Sequence, residues 1–119
     1  MRNITLGMAL YHINKEAKKA LEEWGDRERS SFLYSIKNAV INKLNKKPID
    51  AHTFPMGVMY LYEIDGFTFH HRYSNGHNIE PTKSLSSISS EDKLCLSTEE
   101  VKEAYKVIND FIGFTVIEY

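Results

Sequence analysis

The stretch Met56–Tyr73, MGVMYLYEIDGFTFHHRY, sets the tightest limit on what this chain can become. Two runs of β-branched and aromatic residues flank the dipeptide Asp65-Gly66, and a two-residue type I′ turn needs φ > 0 at both central positions. Asp tolerates that conformation and Gly adopts it freely. A reversal there predicts the register: Ile64 opposite Phe67, Tyr62 opposite Phe69, Tyr60 opposite His71 and Val58 opposite Tyr73. One face of the ribbon is then almost wholly aromatic and aliphatic, so it must lie on a core.

The rest of the chain supplies helices to cover it. Leu6, Leu10, Ile13, Ala17, Ala20, Leu21 and Trp24 recur at three- and four-residue steps. They predict a first helix with Asn3 as its cap and Gly25 at its end. Gly7 and Thr5 oppose that reading, and alternation of Ile4, Leu6, Met8 and Leu10 offers a strand instead. Phe32, Leu33, Ile36, Ala39, Val40 and Leu44 predict a second helix over about residues 28–46, closed by lysines and Pro48. The short break between the two implies an antiparallel helical hairpin.

Ile49–Pro55 reads as a connector, and Ser74-Asn75-Gly76 as a turn into a brief strand around His77–Ile79. From Pro81 to Asp92 half of the residues are Ser or Thr, so 81–92 is expected to be a mobile polar loop. A short strand is expected at Lys93–Leu96. Ser97-Thr-Glu-Glu100 matches a capping box for a third helix carrying Val101, Ala104, Tyr105, Ile108, Phe111 and Ile112 on one face. The final FTVIEY alternates and predicts a C-terminal strand. The expected fold class is α+β: helical hairpin, antiparallel β-hairpin, third helix and C-terminal strand, forming a two-layer sandwich in one domain over residues 1–119.

Composition bounds the function. A chain of 119 residues can bury a real core without metal or disulfide support. A net charge of −1 gives no electrostatic footprint for nucleic acid. No apolar run reaches the length of a membrane span, and the N-terminal stretch lacks the pattern of a signal peptide. The single cysteine, Cys95, precludes an internal disulfide. Lying between two leucines, it is expected to be a buried small hydrophobe. A cytoplasmic protein is expected, without a cofactor.

Five histidines, His12, His52, His70, His71 and His77, invite a search for chemistry. Adjacent His70 and His71 must leave opposite faces of a strand, so they do not act together. His71 belongs to the aromatic face as a packed histidine. His70 joins Thr68 and Arg72 on the other, near Glu63, where a base, a cation and a carboxylate could serve phosphodiester hydrolysis. No HxxxH, HExxH or CxxC spacing marks a metal site, although a turn at Asn75-Gly76 could bring His71, His77 and Glu80 together. No GxSxG, GxGxxG or GxxxxGK occurs.

Without a catalytic constellation, the expected function is a small non-enzymatic binding or inhibitor protein acting through protein–protein contact. Its size and composition match those of bacterial immunity proteins, antitoxin-like factors and phage accessory proteins. The seven tyrosines suit an interface. The expected contact patch is Trp24 with the acidic turn of Glu22, Glu23 and Asp26, together with Tyr60 and Tyr62; a core position on the helix stripe is the competing expectation for Trp24. The alternative is a hydrolase or nuclease using His70, Arg72 and Glu63. A C-terminal strand would also leave an edge for homo-oligomerisation.

Overall fold

A computed structural model describes residues 2–55, 57–74, 78–80 and 94–119, apart from the side chains of 54, 72–74 and 78–80. Among the described residues the order is α1 (Leu6–Glu22), α2 (Arg27–Leu44), β1 (Asp50–Phe54), β2 (Gly57–Ile64), β3 (Phe67–Ser74), β4 (Asn78–Glu80) and α3 (Thr98–Ile112). The four strands form one antiparallel sheet in chain order. This is a small α+β domain, and none of its described helices is long and apolar enough to cross a membrane.

Residues 6–22 are helix, so the strand alternative fails. The cap is Thr5 rather than Asn3: its hydroxyl accepts the Met8 N–H at 3.2 Å. Gly7, a residue that argues against helix on propensity, has a packing reason. A Cβ there would overlap the Ile64 carbonyl oxygen and lie 2.7 Å from the Asp65 Cβ. The Gly7 N–H instead donates to the Asp65 carboxylate at 2.7 Å. The hairpin turn thus places a negative charge on the unsatisfied donors of the first helical turn. Asp65 and Gly66 have φ of 52° and 87°, and β2–β3 adopts the expected register at all four pairs.

Asp26 starts α2 by accepting the Arg29 N–H at 3.0 Å, and Asn45 ends it with φ 50°. The buried face of α2 is broader and more polar than the apolar stripe suggests. Leu33, Ile36, Val40 and Ile41 are buried, but so are Ser30, Lys37 and Asn38, whereas Phe32 and Ala39 are exposed.

The connector expected at 49–55 contains β1, which pairs with β2 from Asp50↔Leu61 to Phe54↔Gly57. Ala51, His52 and Thr53 are exposed, so this edge strand lacks the apolar alternation that marks a half-buried one. The brief strand after the second turn is found at Asn78–Glu80, with His77 outside the described residues, as are 81–93. Leu94–Leu96 forms no strand.

The capping box of α3 is complete, with the Glu100 N–H 3.2 Å from the Ser97 hydroxyl and the Ser97 N–H 3.0 Å from the Glu100 carboxylate. The expected C-terminal strand is absent: residues 114–119 have no strand structure. Their partner is a side chain. The Asn109 Oδ1 accepts the N–H groups of Val116 and Ile117 at 2.8 and 3.0 Å, and its Nδ2 donates to the Ile117 carbonyl at 2.8 Å. An amide that mimics a strand's donors and acceptors removes the need for a neighbouring strand. The strand expected to offer an edge for homo-oligomerisation is thus not formed by residues 114–119.

Candidate functional site

The pleat separates the two adjacent histidines as expected. His71 is fully buried, its ring meeting Tyr62 edge-on at 6.0 Å between centroids. His70 is half-buried on the opposite face, where Leu61 pairs with it and Asp50, His52 and Met59 share a shallow cleft of about 90 Å³. Glu63 is exposed two positions along β2. The Arg72 side chain lies outside the described residues, as do His77 and the Glu80 side chain of the conceivable metal trio. Among the described residues no three His, Cys, Asp or Glu side chains converge on a metal position.

Behind this sheet lies a group that the pattern of apolar residues conceals. Lys37 of α2 is 1% exposed. Its Nζ donates to the His70 carbonyl at 2.9 Å and stands 5.4 Å from the centre of the Tyr34 ring. Burial pulls the ammonium from its ordinary 10.5 down to about 7. Burial and then the Lys37 charge push His71 down to about 4, and the same two causes lower His70. Both causes favour the neutral form of each imidazole.

A richer constellation lies between α1 and α3. His12 and Glu16, one helical turn apart on α1, meet at 2.7 Å through His12 Nε2 and Glu16 Oε1. Tyr105 of α3 donates its hydroxyl to the same oxygen at 2.6 Å, and an Arg29 nitrogen of α2 lies 3.6 Å from Oε2. One carboxylate thus joins three helices. Burial raises the Glu16 pKa, but the hydrogen bonds from His12 and Tyr105 and the nearby charges of His12 and Arg29 outweigh it, so the carboxyl sits below its usual range. Burial and Glu16 together push the Tyr105 phenol up. His12, Glu16 and Tyr105 line one wall of a cleft of about 350 Å³; Leu94, Cys95, Leu96 and Val101 line another. Cys95 is exposed there, not buried as its leucine neighbours suggest. Sequence reasoning passed over this site, although the i, i+4 spacing of His12 and Glu16 was a visible signal.

At the mouth of that cleft stands Trp24, 65% exposed in the α1–α2 turn rather than in the core. The Lys19 ammonium lies 5.7 Å from its ring centre. Glu22, Glu23 and Asp26 are exposed around it. The remaining expected contact residues do not join them. Tyr62 is in the core at 8% exposure and Tyr60, half-buried, packs beside it at 6.3 Å.

Comparison of the chain with protein-family models, with curated proteins and with solved structures returns no match.

Proposed function

We propose that this protein is a small non-enzymatic binding or inhibitor protein whose contact with a partner protein is centred on Trp24 and the acidic turn of Glu22, Glu23 and Asp26. The observation that carries this reading is the exposure of the chain's one tryptophan. A tryptophan side chain covers roughly 200 Å². Burying the exposed two-thirds at ~25 cal/mol per Å² would contribute about 3 kcal/mol to an association. Tryptophan at the centre of a contact, with charged residues at the rim, is the usual anatomy of a binding hot spot. The acidic rim favours a partner with basic residues opposite it.

A histidine-based hydrolase centred on His70 has less support. The cleft beside it, about 90 Å³, is well below the size that encloses a small substrate. The Glu63 carboxylate is exposed at a neighbouring position of the same face.

The test is site-specific photo-crosslinking in the native host with a benzophenone amino acid at Glu23, next to Trp24. A discrete protein adduct is expected, and Trp24→Ala in the same chain should abolish it without changing the melting temperature. The absence of any discrete adduct, or one indifferent to Trp24→Ala, overturns the proposal.

A further inference from the structure

We propose that the cleft between α1 and α3 binds a small aromatic anion, a planar ring carrying a phosphate or carboxylate group. Its volume of about 350 Å³ falls within the range of ligand pockets. Leu94, Leu96 and Val101 give it an apolar side, and Trp24 at the mouth offers a ring face for stacking.

The charge on the wall selects an anion. Lys15 and Lys19 project from successive turns of α1 into the same cleft. Each is loosely committed. The Lys15 Nζ gives one hydrogen bond, at 3.2 Å, to the exposed Leu94 carbonyl, and an ammonium has three donors. The Lys19 Nζ is 3.9 Å from the Glu23 carboxylate and 5.7 Å from the Trp24 ring centre, over one face of that ring. Both charged side chains are more than half exposed, so solvent screens these contacts. The one carboxylate lining the cleft wall, Glu16, already serves His12, Tyr105 and Arg29. Its negative charge is matched by its own partners, and the two lysines leave the wall positive.

The same carboxylate makes the site rigid. It ties His12 and Tyr105, from different helices, into one arrangement before any ligand arrives, which lowers the ordering cost of binding. The ligand site adjoins the acidic outer turn proposed for the protein partner and is opposite to it in sign. The two share Trp24 but neither proposal rests on the other.

Because the chain has one tryptophan, its indole N–H gives a single resonance in a ¹⁵N-labelled sample of the full chain. The probes are adenosine 5′-monophosphate for the phosphate arm and indole-3-acetate for the carboxylate arm, with adenosine and inorganic phosphate as halves. A saturable shift of the Trp24 resonance is expected with at least one of the two anions, and the stronger of them identifies the acidic group. Adenosine and inorganic phosphate should each bind at least ~10-fold more weakly than the whole nucleotide, if the phosphate arm is the responding one. Lys15→Gln with Lys19→Gln should weaken the responding anion about ten- to hundredfold, the loss of charge-assisted hydrogen bonds, with an unchanged melting temperature. No saturable shift with either anion at millimolar concentration overturns the proposal. So does equal binding by the double lysine variant.

Discussion

Replacing Lys37 with methionine should stabilise this protein at neutral pH, and the gain should shrink as the pH rises. Lys37 is almost wholly buried, and its proton affinity falls from the ordinary 10.5 to about 7. That fall corresponds to a cost of roughly 5 kcal/mol for keeping the charged form in the core. The sign follows from proton binding: between about pH 7 and pH 10.5 the unfolded chain holds a proton that the folded chain has released, so stability rises with pH across that window. From pH 7 to pH 9 the wild type should gain about 2 kcal/mol from this group alone. Methionine fills a similar volume without the charge, but leaves the His70 carbonyl without the 2.9 Å bond from Nζ, a loss of about 1–3 kcal/mol. The net expectation is that Lys37→Met exceeds the wild type by about 2 kcal/mol at pH 7 and loses that advantage by pH 9. Urea denaturation of both proteins at the two pH values measures it. Parallel pH profiles for the two proteins would refute the reasoning, because they would show that Lys37 keeps an ordinary proton affinity.

Gly7→Ala should cost about 3 kcal/mol or more in urea denaturation, because the new Cβ meets the backbone of Ile64 rather than a side chain that can move. Asp65→Asn retains a residue tolerant of φ > 0 but removes the charge at the start of α1; a loss of about 1 kcal/mol is expected in the same assay. Asn109→Ala should release the tail, seen as fast amide exchange at Val116 and Ile117 and a melting temperature lower by several degrees. At acid pH the folded His71 resists protonation down to about pH 4 while the unfolded imidazole protonates near 6.5. Its contribution is therefore full above pH 6.5 and lost as the pH falls towards 4, and His71→Phe should flatten that part of the profile.

What the sequence made legible was everything written in local chemistry. The Asp65-Gly66 turn with its register and the Ser97 capping box depend on residues within a few positions of one another. Where a tertiary partner decides, the pattern misleads. Gly7 looks like a helix breaker until Ile64 and Asp65 occupy the space beside it. FTVIEY alternates like a strand, yet the Asn109 side chain takes the backbone groups of Val116 and Ile117. The edge strand β1 is hidden because exposed residues carry no apolar period. At the sites the same division holds. The opposite placement of His70 and His71 follows from the strand period alone. The His12–Glu16 pair needed Tyr105 and Arg29, 89 and 13 positions away from Glu16, before it became more than a surface pair. Lys37 was invisible because a lysine in a helix is read as solvated.

The bond between Gly7 and Asp65 spans 58 positions. The opening turn of the first helix is thus completed by a residue synthesised long afterwards, and the Gly7 N–H has only water until the hairpin has formed. A contact of that span is expected to form late in folding, so substitution at Gly7 should hasten unfolding while leaving the rate of folding nearly untouched.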